Sequence, residues 1–160
     1  ALDIGPNSIR KLVCTLGLLG QDQEEVTVLA DIGYDFITFT LFYRTNLIYS
    51  RCVRVDLHQG ADFSAREDLD PAANQAYRAF LFTIGDEIQR ILQFLSASEY
   101  KSYPAKVFLC GGGAHLPAIA QTLSEYLYTQ VALLQANGRG GAIDAYLREY
   151  VNALGAQIRL

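Results

Sequence analysis

Apolar residues recur at steps of three and four from Asn7 onward, with Ile9, Leu12, Val13, Leu16 and Leu19 on one side. The spacing predicts an opening helix over 7–19, started by Pro6 and Asn7 and limited by Gly17 and Gly20. After the polar stretch 21–25, Val26 to Ala30 is short, apolar and β-branched, the pattern of a buried strand. Gly33 ends it, and Phe36 to Tyr43 reads as a second strand with apolar or aromatic residues on both faces. Arg44, Thr45 and Asn46 turn the chain into a third strand, Leu47 to Leu57, where polar and apolar positions alternate. Residues 58–71 are polar and read as a loop or small insertion. From Ala72, the stripe Ala76, Phe80, Ile84, Ile88, Ile91 and Leu95 predicts a long helix that stops in 96–102. Lys106 to Cys110 is a buried strand running into Gly111, Gly112 and Gly113, followed by a helix from Leu116 to Leu127. Gln130 to Leu134 makes one more short strand, 137–141 a glycine-rich loop, and Ile143, Leu147, Val151 and Leu154 a last helix.

The order is helix, three strands, helix, strand, helix, strand, helix. An antiparallel meander followed by β-α units predicts an α/β fold, a mixed sheet with helices on both faces, as in an RNase H-like layer. Of 160 residues, 51% are hydrophobic and 19% charged, enough for one domain to fill a core without staples. Cys14, Cys52 and Cys110 are scattered and never form a Cys-x-x-Cys pair, which suits reduced thiols. Thirteen basic residues against seventeen acidic ones give a net charge of −4 with no basic block, which disfavours nucleic acid as a partner. No apolar run approaches the roughly 18 residues of a membrane span, so direct membrane insertion is not expected. The chain starts at Ala1 and holds no methionine, so it is expected to be a piece of a larger protein.

Two segments have the residue types for ligand chemistry. Asp31-Ile32-Gly33 projects a carboxylate at a strand end beside backbone without a Cβ, an arrangement that suits phosphate and a hydrated divalent cation. Taken alone, the tripeptide reads first as a hairpin turn. Gly111-Gly112-Gly113-Ala114 lies between a buried strand and a helix, where glycines let a ligand reach the backbone and a helix N-terminus adds partial positive charge. His58 and His115 have no partners at metal-ligand spacing, and Cys110 closes a buried strand as a core residue would.

Together these segments resemble a family. Asp31-Ile32-Gly33, the strand-turn-strand after it and Leu47-Ile48-Tyr49-Ser50-Arg51 resemble the second phosphate motif of actin-like ATPases. The run 87–94 resembles the helix before the adenosine motif in the PilM family of type IV pilus assembly proteins, and 107–117 resembles that motif itself. Ala1 to Ile4 with the helix after it, and 152–156, resemble the segments that lead into and close that family's second lobe. The resemblance implies an actin-like second lobe spanning 1–160, with 58–103 standing for a shortened IIB-like insertion and the first lobe absent. It implies ATP and Mg²⁺ as cofactors. Asp31, Gly33 and Thr38 would meet the phosphates and Mg²⁺, and Gly111, Gly112 and Gly113, with Glu87 and Arg90, the adenosine. Glu87 and Arg90 equally suit a solvent-facing pair worth about 0.3–0.5 kcal/mol. It also implies a cytoplasmic scaffold, peripheral to the inner membrane through platform proteins such as a PilN-like membrane protein whose groove lies on the other lobe, with self-association as a further partner mode. Activity would be at most that of a slow ATPase in the intact protein, and none is expected of this chain alone.

Tyr34 and Asp35 depart from the small or hydroxyl residues usual after the Asp-x-Gly, and Asn137-Gly138 stands where an Asn-Pro pair is common. These departures keep open a nucleotide-free interaction module with a decayed site, like the actin-like domains of MSHA-pilus or type II secretion platform proteins. An RNase H-like nuclease is a third reading, with Asp31 as one metal ligand and glycine where a second acid would help.

Overall fold

The computed structural model describes residues 5–19, 24–55, 63, 69–101, 105–135 and 150–158. In chain order these form α1 (Gly5–Thr15), β1 (Val26–Ile32), β2 (Phe36–Tyr43), β3 (Asn46–Arg54), α2 (Gln75–Ser96), β4 (Ala105–Cys110), a 3-10 turn (Gly112–His115), α3 (Ile119–Leu127), β5 (Val131–Leu133) and α4 (Val151–Gln157). The strands make one sheet in the order β3-β2-β1-β4-β5. β1, β2 and β3 pair antiparallel as a meander, and β4 joins β1, and β5 joins β4, in parallel. β1 is central and buried at nearly every position, which is why its sequence is a continuous apolar run rather than an alternation.

Each face of the sheet is covered. Val28, Ala30, Ile37, Phe39 and Leu109 point to one side and pack under Tyr77, Phe80, Ile84, Ile88 and Ile91 of α2 and Leu123 of α3. Leu29, Phe42 and Cys110 point to the other, against Ile9, Leu12 and Val13 of α1 and Val151 of α4. The alternation along β1 thus divides the core into two layers, each closed by a pair of helices. α1 and α4 meet almost backbone to backbone: a Cβ on Gly155 would collide with the Ser8 carbonyl.

The structure departs from the sequence expectations at several ends. β1 runs two residues further than Ala30, because Asp31 and Ile32 keep pairing with Thr38 and Ile37 of β2. α2 begins at Gln75 and not at Ala72: the Asp70 carbonyl accepts the amides of Ala73 and Asn74 in a turn, and the Asn74 side chain then caps the Tyr77 amide at 3.0 Å. Ala76 is exposed, and Tyr77 takes its expected place in the core. β3 ends at Arg54, short of Leu57. From the polar stretch 58–71, Phe63 reaches the core, its ring 5.0 Å from Tyr77 and 5.4 Å from Phe80. The remaining residues of 58–68, and the expected loop 137–141 with Ile143 and Leu147, lie outside the described residues.

Candidate functional site

Parallel pairing of β1 with β4 sets Asp31 beside Cys110, and antiparallel pairing with β2 sets it beside Thr38, whose own partner on β3 is Cys52. Cys52, Thr38, Asp31 and Cys110 therefore form a row across four strands on the α1–α4 face. The Thr38 hydroxyl donates to Cys52 Sγ at 3.6 Å, and the Cys110 thiol donates to the Ala30 carbonyl at 3.6 Å. From α4, Asn152 Nδ2 donates to Asp31 Oδ2 at 3.3 Å. Burial raises the Asp31 carboxyl above its ordinary value. Burial first, and then the Asp31 charge, push the Cys110 thiol well up. Cys110 is thus a neutral core thiol.

The glycine triplet closes over the same end of the sheet, and its three members differ. Gly111 has φ +84°, and a Cβ there would lie 2.5 Å from Asp31 Oδ1 and 2.5 Å from the Ile32 carbonyl oxygen. A Cβ on Gly113 would collide with the Ile32 side chain. Both glycines are thus required by the way the loop packs on β1. A Cβ on Gly112 would have no neighbouring atom within 4 Å among the described residues, and the residue is exposed, so it is the member that faces away from β1. The expected direct passage from the triplet into a helix is replaced by the 3-10 turn, with Ala114 N donating to Gly111 O at 3.1 Å, and α3 starts only at Ile119. The Tyr77 hydroxyl, whose pKa burial raises to about 12, fixes the far side of this turn by donating to the Pro117 carbonyl at 2.7 Å.

Gly33 closes the β1–β2 turn by donating its amide to the Phe36 carbonyl at 2.9 Å. Tyr34 is 58% exposed at the tip, and the Asp35 carbonyl is tied to the Val55 amide at 2.9 Å. Beside Asp31, between α1, α4 and β2, lies a cavity of about 450 Å³ whose lining includes Gly5, Ser8, Thr38, Thr40 and Asn152. The Thr40 hydroxyl is fully buried there and has no hydrogen-bond partner among the described residues.

Asp31, Gly33, Thr38 and Gly111–Gly113 are thus gathered at one end of the sheet. Glu87 and Arg90 pair with each other on α2. They lie ten and thirteen residues beyond Tyr77, roughly 15–20 Å along the helix from the residue that touches the glycine turn. Sequence reasoning does not single out Asn152, which sits 121 positions from the carboxylate it contacts; only tertiary pairing of α1 with α4 brings it there. Among the described residues no group of three or more His, Cys, Asp or Glu side chains could hold a metal ion alone. A cation here would share Asp31 with ligand oxygens and water, and a two-metal nuclease centre would need a group of that kind. His58 lies outside the described residues.

No protein-family model matches the chain, and no curated protein sequence is significantly similar to it. Among solved structures, the PilM–PilN type IV pilus biogenesis complex superposes with a TM-score of 0.70 at 19% identity, over 98% of this chain and 51% of that one. An archaeal actin homologue superposes at 0.62 with 12% identity, over 97% of this chain and 53% of that one. The activator of 2-hydroxyisocaproyl-CoA dehydratase from Clostridium difficile, solved with bound ADPNP, superposes at 0.53 with 9% identity, over 94% of this chain and 63% of that one. The chain spans about half the length of the first two.

Proposed function

Starting from the actin-like fold that these likenesses establish, we propose that the chain is the second lobe of a PilM-type, ATP-binding scaffold of the type IV pilus inner-membrane platform. The observation that carries this reading is the joint position of Asp31 and the open backbone of Gly112 at the ends of β1 and β4. In this reading Asp31 holds a water of the Mg²⁺ that accompanies the phosphates, and the Gly33 turn brings main-chain amides to the phosphate oxygens. Thr38 adds a hydroxyl from β2, and Asn152 keeps the carboxylate oriented. Gly111 and Gly113 shape the loop, and Gly112 lets the adenosine lie against it. Bound Mg²⁺ supplies charge neutralisation for the triphosphate. Glu87 and Arg90 serve as a helix-surface pair.

The other lobe would complete the cleft, so that ATP holds two lobes in one arrangement and sets the surface shown to partners. A PilN-like membrane protein is the partner this reading names, because the matched structure is a PilM–PilN complex. Among the described residues no helix is long and apolar enough to cross a membrane, which fits a protein that reaches the inner membrane from the cytoplasm through such a partner. Hydrolysis would be slow at most. A nucleotide-free interaction module of the same fold is the second reading, favoured by the Tyr34 ring and Asp35 charge in the turn that phosphates would approach.

Thermal unfolding of the intact two-lobe protein separates the two. A ligand that binds only the folded state stabilises it by RT ln(1 + [L]/Kd), about 2.7 kcal/mol at a hundredfold excess over Kd. ATP with Mg²⁺ should raise Tm in the intact protein and leave Asp31→Ala unmoved. Equal melting with and without nucleotide sinks the ATP-binding reading in favour of the module.

A further inference from the structure

β3 closes one side of the sheet, and among the described residues it pairs only with β2. Its nine residues therefore present main-chain N–H and C=O groups with no strand beyond them among the described residues, an edge that proteins commonly guard with charge. The charge here has a single sign. From Phe36 to Arg54 the chain holds Arg44, Arg51 and Arg54 and not one carboxylate, within a chain of net charge −4. Arg44 is engaged, 3.7 Å from Glu24 with its guanidinium 5.3 Å above the Tyr43 ring. Arg51 and Arg54 are exposed and unpaired among the described residues.

Register places Arg51 opposite Phe39 and Arg54 opposite Phe36. Three positions apart on a strand, the two cations stand on opposite faces of the sheet. Arg51 shares the α2 face with Tyr49, whose ring stacks on Phe94 at 4.6 Å, and Arg54 shares the α1 face with Phe36. Phe36, Leu47 and Phe94 are 47%, 42% and 45% exposed, so apolar surface borders both cations.

We propose that the β3 edge is a docking site for an acidic, extended segment of a partner protein, which adds a sixth strand to the sheet. Main-chain hydrogen bonds supply affinity in such strand addition, and side chains set the preference. A strand about 4.8 Å from β3 with two acidic residues three positions apart presents one carboxylate to Arg51 and the other to Arg54. An apolar residue two positions from the first acid, on the same face, meets Tyr49 and Phe94. A second copy of the chain fits poorly, since two such edges bring four arginines together with no acid in either strand. The site lies two strands away from Asp31 and does not depend on nucleotide.

The probe is a fluorescent heptapeptide of β-branched residues with two glutamates three positions apart, beside the same peptide with lysines at both. Saturable binding of the glutamate peptide by the intact protein is expected, at least about tenfold tighter than the lysine peptide and weaker as salt rises from about 50 to about 500 mM. The variant R51E/R54E should reverse that preference while its circular dichroism stays unchanged; if it does not fold, R51Q/R54Q should abolish it. Backbone amide shifts on peptide addition should centre on 46–54. Absence of saturable binding, equal binding of both peptides, or a wild-type dimer that R51E/R54E dissociates would overturn the proposal.

Discussion

The Asn152 amide and the Asp31 carboxylate, 121 positions apart in the chain, meet at 3.3 Å where α4 crosses the end of β1. The contact ties α4 to the carboxylate that lies beneath the glycine turn, where burial disfavours its charge. Burial raises the Asp31 carboxyl in the folded state. A carboxyl with a raised folded pKa favours folding most below its unfolded pKa, and this contribution is lost as pH rises through the folded value. Asp31→Asn should therefore be more stable than wild type in urea at pH 7, with the gain vanishing below about pH 4. An equal stability difference at both pH values would show that charge burial is not the cause.

The glycines predict a split response. Gly111→Ala meets Asp31 and strains a left-handed φ, and Gly113→Ala meets Ile32, so each should lose about 1–3 kcal/mol of stability by denaturant melts. Gly112→Ala has open space and should melt within about 0.5 kcal/mol of wild type. If all three lose equally, the triplet is a plain structural turn with no member reserved for a ligand.

That split is not legible in the sequence, where three successive glycines look equivalent. What can be read there is the element order, the meander and the two covered faces, because the period of apolar positions changes clearly from Val26 to Tyr43 and from Phe80 to Leu95. Strand and helix ends are less accessible. β1 reaches Ile32 through pairing with β2, and α2 waits for the Asn74 cap, both decided by partners rather than by local composition. Ala76 stands in for Tyr77 in the sequence pattern because a tyrosine reads as amphipathic until its hydroxyl finds a partner, here the Pro117 carbonyl. Of the site, Asp31 and the triplet stand out in the sequence; their junction with Asn152 is a property of the fold.

The α1–α4 contact gives a third prediction. Gly155→Ala sets a Cβ against the Ser8 carbonyl and should cost about 1–3 kcal/mol in urea titration by prying the helices apart. Neutral behaviour would mean that the two helices are not locked backbone to backbone.

Thr40 gives a fourth. Its buried hydroxyl has no partner among the described residues, and valine keeps the branched shape that a strand favours while removing the polar atom. Thr40→Val should gain about 1 kcal/mol in stability, measured by denaturant midpoint. A loss of similar size would reveal a water held on that hydroxyl in the neighbouring cavity.

The most direct measurement is an equilibrium titration of a fluorescent ATP analogue into the intact protein, with the other lobe proposed above, with and without Mg²⁺, in wild type and in Asp31→Ala. Saturable binding that weakens at least about tenfold when either Mg²⁺ or the carboxylate is removed is expected. Binding that is absent, or indifferent to both, would contradict the ATP-binding reading and leave an actin-like fold without nucleotide.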